Sequence, residues 1–162
     1  MVRVHAGQPI SARDARGATP LPESFMSHLP KDWRFLRAGW VYALILTGRE
    51  DAATKMVEGA LQGIIRRHDV VSVKRRRRLF FARLFREGRN LPCVGEGAGE
   101  PVCGLRFFHE LAEPGRSALS LLYLRLFSVD ELADVLGKSE KELPDILAGA
   151  RGALSGKWPA AV

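Results

Sequence analysis

Two Ser-x-x-Glu boxes near the C-terminus constrain this chain more than any other feature. Ser128-Val129-Asp130-Glu131 and Ser139-Glu140-Lys141-Glu142 each open a short amphipathic run, with Gly137 between them. In such a box the serine accepts from an orphan amide of the first helical turn, and the glutamate three residues on reaches back to the serine N–H. Two helices are therefore predicted to start about one box-to-box interval apart, with Gly137 supplying the positive φ of a tight inter-helix turn. Leu132, Ala133, Val135 and Leu136 then line the inner face of the first helix, and Leu143, Ile146, Leu147 and Ala150 that of the second. The unit reads as a helix-turn-helix.

The same unit is acidic. Between Ser128 and Ile146, Lys138 and Lys141 stand against Asp130, Glu131, Asp134, Glu140, Glu142 and Asp145. The chain as a whole carries a net charge of +7, and the positive surplus sits elsewhere. Arg66, Arg67, Lys74, Arg75, Arg76, Arg77, Arg78, Arg83, Arg86 and Arg89 fall in one stretch with only Asp69 and Glu87 among them.

Length and composition suit a globular protein: 162 residues, 46% of them apolar, can bury one ordinary core or two small helical ones. No apolar run approaches the roughly twenty residues needed to cross a bilayer, and Arg3, Arg13 and Arg16 precede no hydrophobic signal segment. Cys93 and Cys103 have no His or Cys at zinc spacing, which favours a free thiol pair in a reducing, cytoplasmic setting. His5, His28, His68 and His109 stand apart from one another, and no nucleophile elbow, P-loop or paired-histidine metal motif occurs. An enzyme is not expected, nor a cofactor or metal.

Along the chain, residues 1–30 hold four prolines without a period and read as a flexible arm. Residues 31–90 read as a three-helix bundle. Its first helix runs from Trp33 through Leu36, Trp40 and Leu44 to the Thr47-Gly48 stop. The second follows Arg49-Glu50-Asp51, with Met56, Val57, Ala60, Leu61, Ile64 and Ile65 on its apolar face. Its Gly59 and Gly63 cost about 1 kcal/mol each relative to Ala unless they admit close packing. The third spans Arg75 to Arg89. Residues 91–104, with Gly95, Gly97, Gly99 and Gly104, have the composition of a linker. Residues 105–155 hold a helical lead-in from Arg106 to Leu111, an apolar helix from Arg116 to Leu126 and the helix-turn-helix; 156–162 form a tail in which Trp158 could fold back. The fold class expected is all-α, two small helical domains joined by a flexible linker.

Phe80, Phe81 and Phe85 interleave with the arginines of the third helix and cannot share one narrow stripe at about 100° per residue. Cations that track phosphates beside an exposed π-face are the ingredients of a nucleic-acid platform. Arg66, Arg67, Lys74, Arg75, Arg76, Arg77, Arg78, Phe80, Phe81, Arg83, Arg86 and Arg89 are accordingly the candidate nucleic-acid contacts. A solvated face or an acidic protein partner explains the same run. Lys138, Lys141, Leu143 and Ile146 are the candidate contacts for a protein partner on the helix-turn-helix.

The order of parts resembles bacterial RNA polymerase sigma factors of the extracytoplasmic-function type. Leu46-Thr47-Gly48-Arg49-Glu50-Asp51-Ala52, Val57-Glu58-Gly59-Ala60-Leu61 and Phe80-Phe81-Ala82-Arg83-Leu84-Phe85-Arg86-Glu87-Gly88-Arg89-Asn90 resemble that family's domain 2. Arg116-Ser117-Ala118-Leu119, Ser128 through Gly137, and Ala150-Arg151-Gly152-Ala153-Leu154 resemble its domain 4. The resemblance implies a transcription regulator that engages the RNA polymerase core and promoter DNA. Departures fall at Ala53, Thr54 and Lys55, where the family has an acidic pair, and at Leu91-Pro92, where it continues with a basic helix. Pro144, Asp145 and Ile146 stand where the family's recognition helix carries Lys, Ser and Arg. The departures leave open a second expectation, a sigma mimic that binds an anti-sigma factor or another regulator without reading DNA.

Overall fold

The computed structural model describes residues 31–65, 72–91 and 106–155. The arm, the tail, most of the glycine-rich linker, Arg66, Arg67, Cys93 and Cys103 lie outside the described residues. All regular structure among the described residues is helical. After a single 3-10 turn at Lys31–Trp33 come α1 (Phe35–Thr47), α2 (Glu50–Ile65) and α3 (Val73–Gly88). Then follow α4 (Arg106–His109), α5 (Gly115–Tyr123), α6 (Val129–Leu136) and α7 (Leu143–Ser155). No described helix is long and apolar enough to cross a membrane.

Local chemistry explains most of the boundaries. α1 stops because Gly48 takes φ 69° and its N–H closes on Leu44 O at 2.8 Å. α3 begins because Ser72 accepts from the Arg75 N–H at 3.3 Å. α6 begins where the Ser128 N–H donates to Glu131 Oε2 at 3.3 Å and ends in a Schellman motif. There Gly137 takes φ 62°, its N–H reaches Asp134 O at 3.2 Å, and the Lys138 N–H reaches Ala133 O at 3.0 Å.

The second box behaves differently from its expected role. Ser139 N–H and Oγ–H both donate to Glu142 Oε2, at 2.9 and 2.8 Å, but they close a turn, and α7 starts only at Leu143. Pro144 sets this boundary. Starting the helix late puts proline in its first turn, where its missing N–H removes no helical hydrogen bond. A proline in the helix interior would cost about 3 kcal/mol, and this start avoids it.

The two helical halves share one apolar core. Phe35, Tyr42, Leu46, Phe80, Phe81 and Leu84 from the first half pack in the same cluster as Ala118, Leu121, Leu132, Leu136 and Leu143 from the second. α3 is the hinge of this packing, touching α1 and α2 on one flank and α6 on the other. Close approach is built in at Gly39, where a Cβ would collide with the Phe80 ring. Gly63 lies beneath the Arg83 guanidinium, whereas Gly59 faces open space and packs against nothing.

A buried polar cluster joins the halves near α4. The Tyr42 O–H donates to Ser117 Oγ at 2.7 Å, and Arg116 Nε pairs with Glu113 Oε1 at 2.8 Å. His109 is buried beside Arg116, and neither ring nitrogen is hydrogen-bonded among the described residues. Burial, and secondarily the Arg116 charge, lowers its pKa from the ordinary value. The unfolded chain therefore binds a proton before the folded one does, so this residue's contribution is complete above about pH 6.5 and is lost as the pH falls below it. We expect the melting temperature to drop between pH 7.5 and pH 5.5, and the drop to shrink in His109→Leu. An unchanged drop in that variant would assign the pH dependence to other groups.

Candidate nucleic-acid interface

Helix α3 carries the basic run, and its neighbours divide that run into three sets. The first set is consumed inside the molecule. Lys74 Nζ lies 2.9 Å from Glu131 Oε1, Arg77 Nη2 lies 3.4 Å from Glu131 Oε2, and Arg78 Nη1 lies 3.0 Å from Asp134 Oδ2. Acidic α6 thus neutralises part of the basic helix. The Lys74 ammonium, helped by the Ser128 N–H and Arg77, holds the Glu131 carboxyl below its usual range.

The second set is held by rings and by its own helix. The Arg76 guanidinium sits over Trp33 at 4.8 Å and that of Arg77 over Phe127 at 5.1 Å. Arg83 pairs with Glu87 at 2.9 Å one turn along. These guanidiniums cover apolar surface with their stems and planes rather than standing free in solvent.

The third set faces outward. Arg75, Arg86 and Arg89 are exposed and make no ion pair among the described residues. With Leu79, 39% exposed, and half-buried Ala82, they recur at alternating intervals of four and three residues, which places all five on one stripe. The stripe runs about 20 Å at 1.5 Å per residue. Its arginines stand exposed, while Leu79 and Ala82 border Asp134 and Val135 of α6.

The expected aromatic platform is not there. Phe80 and Phe81 have no accessible surface, and Phe85 is buried as well. Positions 80, 81, 84 and 85 span a broad arc of the helix, but α1, α2 and α6 surround that whole arc. The rings meet one another instead: Phe81 stands edge-on to Phe80 at 5.4 Å and to Phe127 at 5.2 Å. Sequence reasoning missed Glu131 and Asp134 as partners of the basic run because they lie 54 and 56 residues from Arg77 and Arg78. Opposite local charge was the only signal available.

The protein-partner candidates are likewise sorted by burial. Leu143 is fully buried and is a core residue, not an anchor for another protein. It enters the core because α7, which packs on α5, starts there and turns its first residue into the shared cluster. Ile146 is half-buried against the same core. Lys138 lies 3.5 Å from Glu142, and Lys141 is exposed. Asp145 and Pro144 are exposed at the start of α7. The chain matches no protein-family model, no curated protein and no solved structure.

Proposed function

We propose that this chain is a sigma-factor-like transcription regulator that engages RNA polymerase and promoter DNA, with the outer stripe of α3 as its phosphate-binding surface. The observation that carries the reading is the row Arg75, Arg86 and Arg89, exposed on one helix face and clear of ion pairs among the described residues. Fixed cations spaced along a rigid helix neutralise successive phosphates and release their counterions. A helix-turn-helix packed directly against that helix, with α6 bearing on α3, supports the same reading. In the sigma-like scheme, residues 31–90 and 105–155 are two domain-like halves, here joined through a common core.

Replacing Arg75, Arg86 and Arg89 together by Ala should weaken binding to every DNA sequence and reduce the salt slope by up to about 2.7, at roughly 0.9 per phosphate contact. Fluorescence anisotropy with a labelled duplex across a potassium chloride series reads both quantities. Unchanged affinity would end the nucleic-acid reading.

A second reading, binding of an anti-sigma factor or another regulator without DNA, is favoured by one observation. The start of α7, where a recognition helix meets a groove, exposes Asp145 and Pro144 rather than cations. Copurification of the full chain with RNA polymerase subunits, scored separately from anti-sigma factors, separates the two.

A further inference from the structure

A cleft of about 210 Å³ opens between α3 and α6, lined by Arg75, Arg78, Leu79, Ala82, Asp134 and Val135. It joins the outward arginine stripe to the ion pairs beneath it. Arg75 contributes an exposed guanidinium with no described carboxylate against it, while Arg78 next to it is engaged by Asp134 Oδ2 at 3.0 Å. The two carboxylates of α6 differ in one decisive respect. The Glu131 side chain is 6% exposed and held by Lys74, Arg77 and its own helix start, whereas that of Asp134 is 67% exposed and, among the described residues, pairs with Arg78 alone. Glu131 fixes α6 in place; Asp134 is free to swing into solvent.

We propose that Asp134 stands in for a nucleic-acid phosphate at this cleft, so that the helix-turn-helix gates the basic helix until a phosphate displaces it from Arg78. A phosphodiester entering the cleft meets Arg75 first and then exchanges with the Asp134 carboxylate on the Arg78 fork, a geometry that suits either anion. The exchange trades one exposed charge pair for another and needs no helix to move. Arg78 thereby adds a contact to the stripe only in the bound state. The inference rests on the nucleic-acid reading above and assigns its regulation.

The test measures binding of a fluorescein-labelled DNA duplex to the full chain across a potassium chloride series. Four proteins are compared: the wild type, Asp134→Asn, Glu140→Gln and the double variant Asp134→Asn with Arg78→Ala. Glu140 is exposed and unpaired among the described residues, so Glu140→Gln makes the same change of net charge away from the cleft. Removing an exposed competing pair should tighten binding by about two- to fivefold, with the salt slope unchanged because Arg78 meets a phosphate in both complexes. Glu140→Gln should leave both near the wild-type values, and Arg78→Ala should abolish the gain in the double variant. An equal gain in Glu140→Gln reduces the effect to net charge and overturns the gate, as does an unchanged affinity in Asp134→Asn. Absence of binding in all four proteins removes the nucleic-acid reading itself, and the gate with it.

Discussion

Phe81→Ala should cost about 3–5 kcal/mol of unfolding free energy, the range for deleting a large ring from a closed core. Three parts of the chain meet on this one side chain. Tyr42 of α1 lies 5.9 Å from it in a tilted contact, while Phe80 of α3 and Phe127, just before α6, approach edge-on. The ring has no accessible surface, so its removal leaves a cavity at the junction of both halves rather than a dent at the edge of one. Small domains are stable by only about 5–15 kcal/mol. The variant should therefore be substantially destabilised and should loosen both halves together. Urea denaturation followed by circular dichroism measures this, with Leu79→Ala on the exposed stripe as reference. A loss no greater than that of the reference would mean that the halves do not share this core.

Glu113→Ala is expected to be comparably severe, by about 3–5 kcal/mol, because it strands a buried cation. The Arg116 side chain is 2% exposed, its Nε bonds Glu113 Oε1 at 2.8 Å, and its Nη1 has no hydrogen-bond partner among the described residues. The second carboxylate oxygen of Glu113 accepts the Ser117 N–H at 3.3 Å, so the residue also closes the first turn of α5. Pairing the substitution with a second change isolates the charge effect. Glu113→Leu with Arg116→Met removes both ions and fills the space, and should recover most of the loss. If the double variant is no more stable than Glu113→Ala, the damage lies in the lost helix cap or in packing rather than in the unpaired guanidinium.

Much of the secondary structure was readable along the chain because its determinants are local. The Thr47-Gly48 stop, the Ser128–Glu131 start of α6 and the left-handed turn at Gly137 each depend on residues within one helical turn. The apolar faces of α6 and α7 followed from spacing for the same reason, with Leu132, Ala133, Val135, Leu136, Leu143 and Ala150 buried. Where the reading slipped, two local signals competed. Ser139 and Glu142 do form their hydrogen bonds, yet Pro144 determined where α7 could begin. α5 stops at Tyr123, short of Leu126, as Leu124 closes the helix and Arg125 takes φ 50° in the turn toward α6.

The helical class, the capped start and left-handed end of α6, and the segregation of charge into a basic run and an acidic segment are legible along the chain. What each charge and ring does follows from how the helices pack. That packing closed the core around Phe80 and Phe81 and gave Lys74, Arg77 and Arg78 to Glu131 and Asp134. Arg75, Arg86 and Arg89 were left as the outward stripe. The physical reason is range. Capping and amphipathic period act over a few residues and leave a pattern in the string, whereas an ion pair or a shared core is chosen by which helices pack, and sign and hydrophobicity alone name no partner.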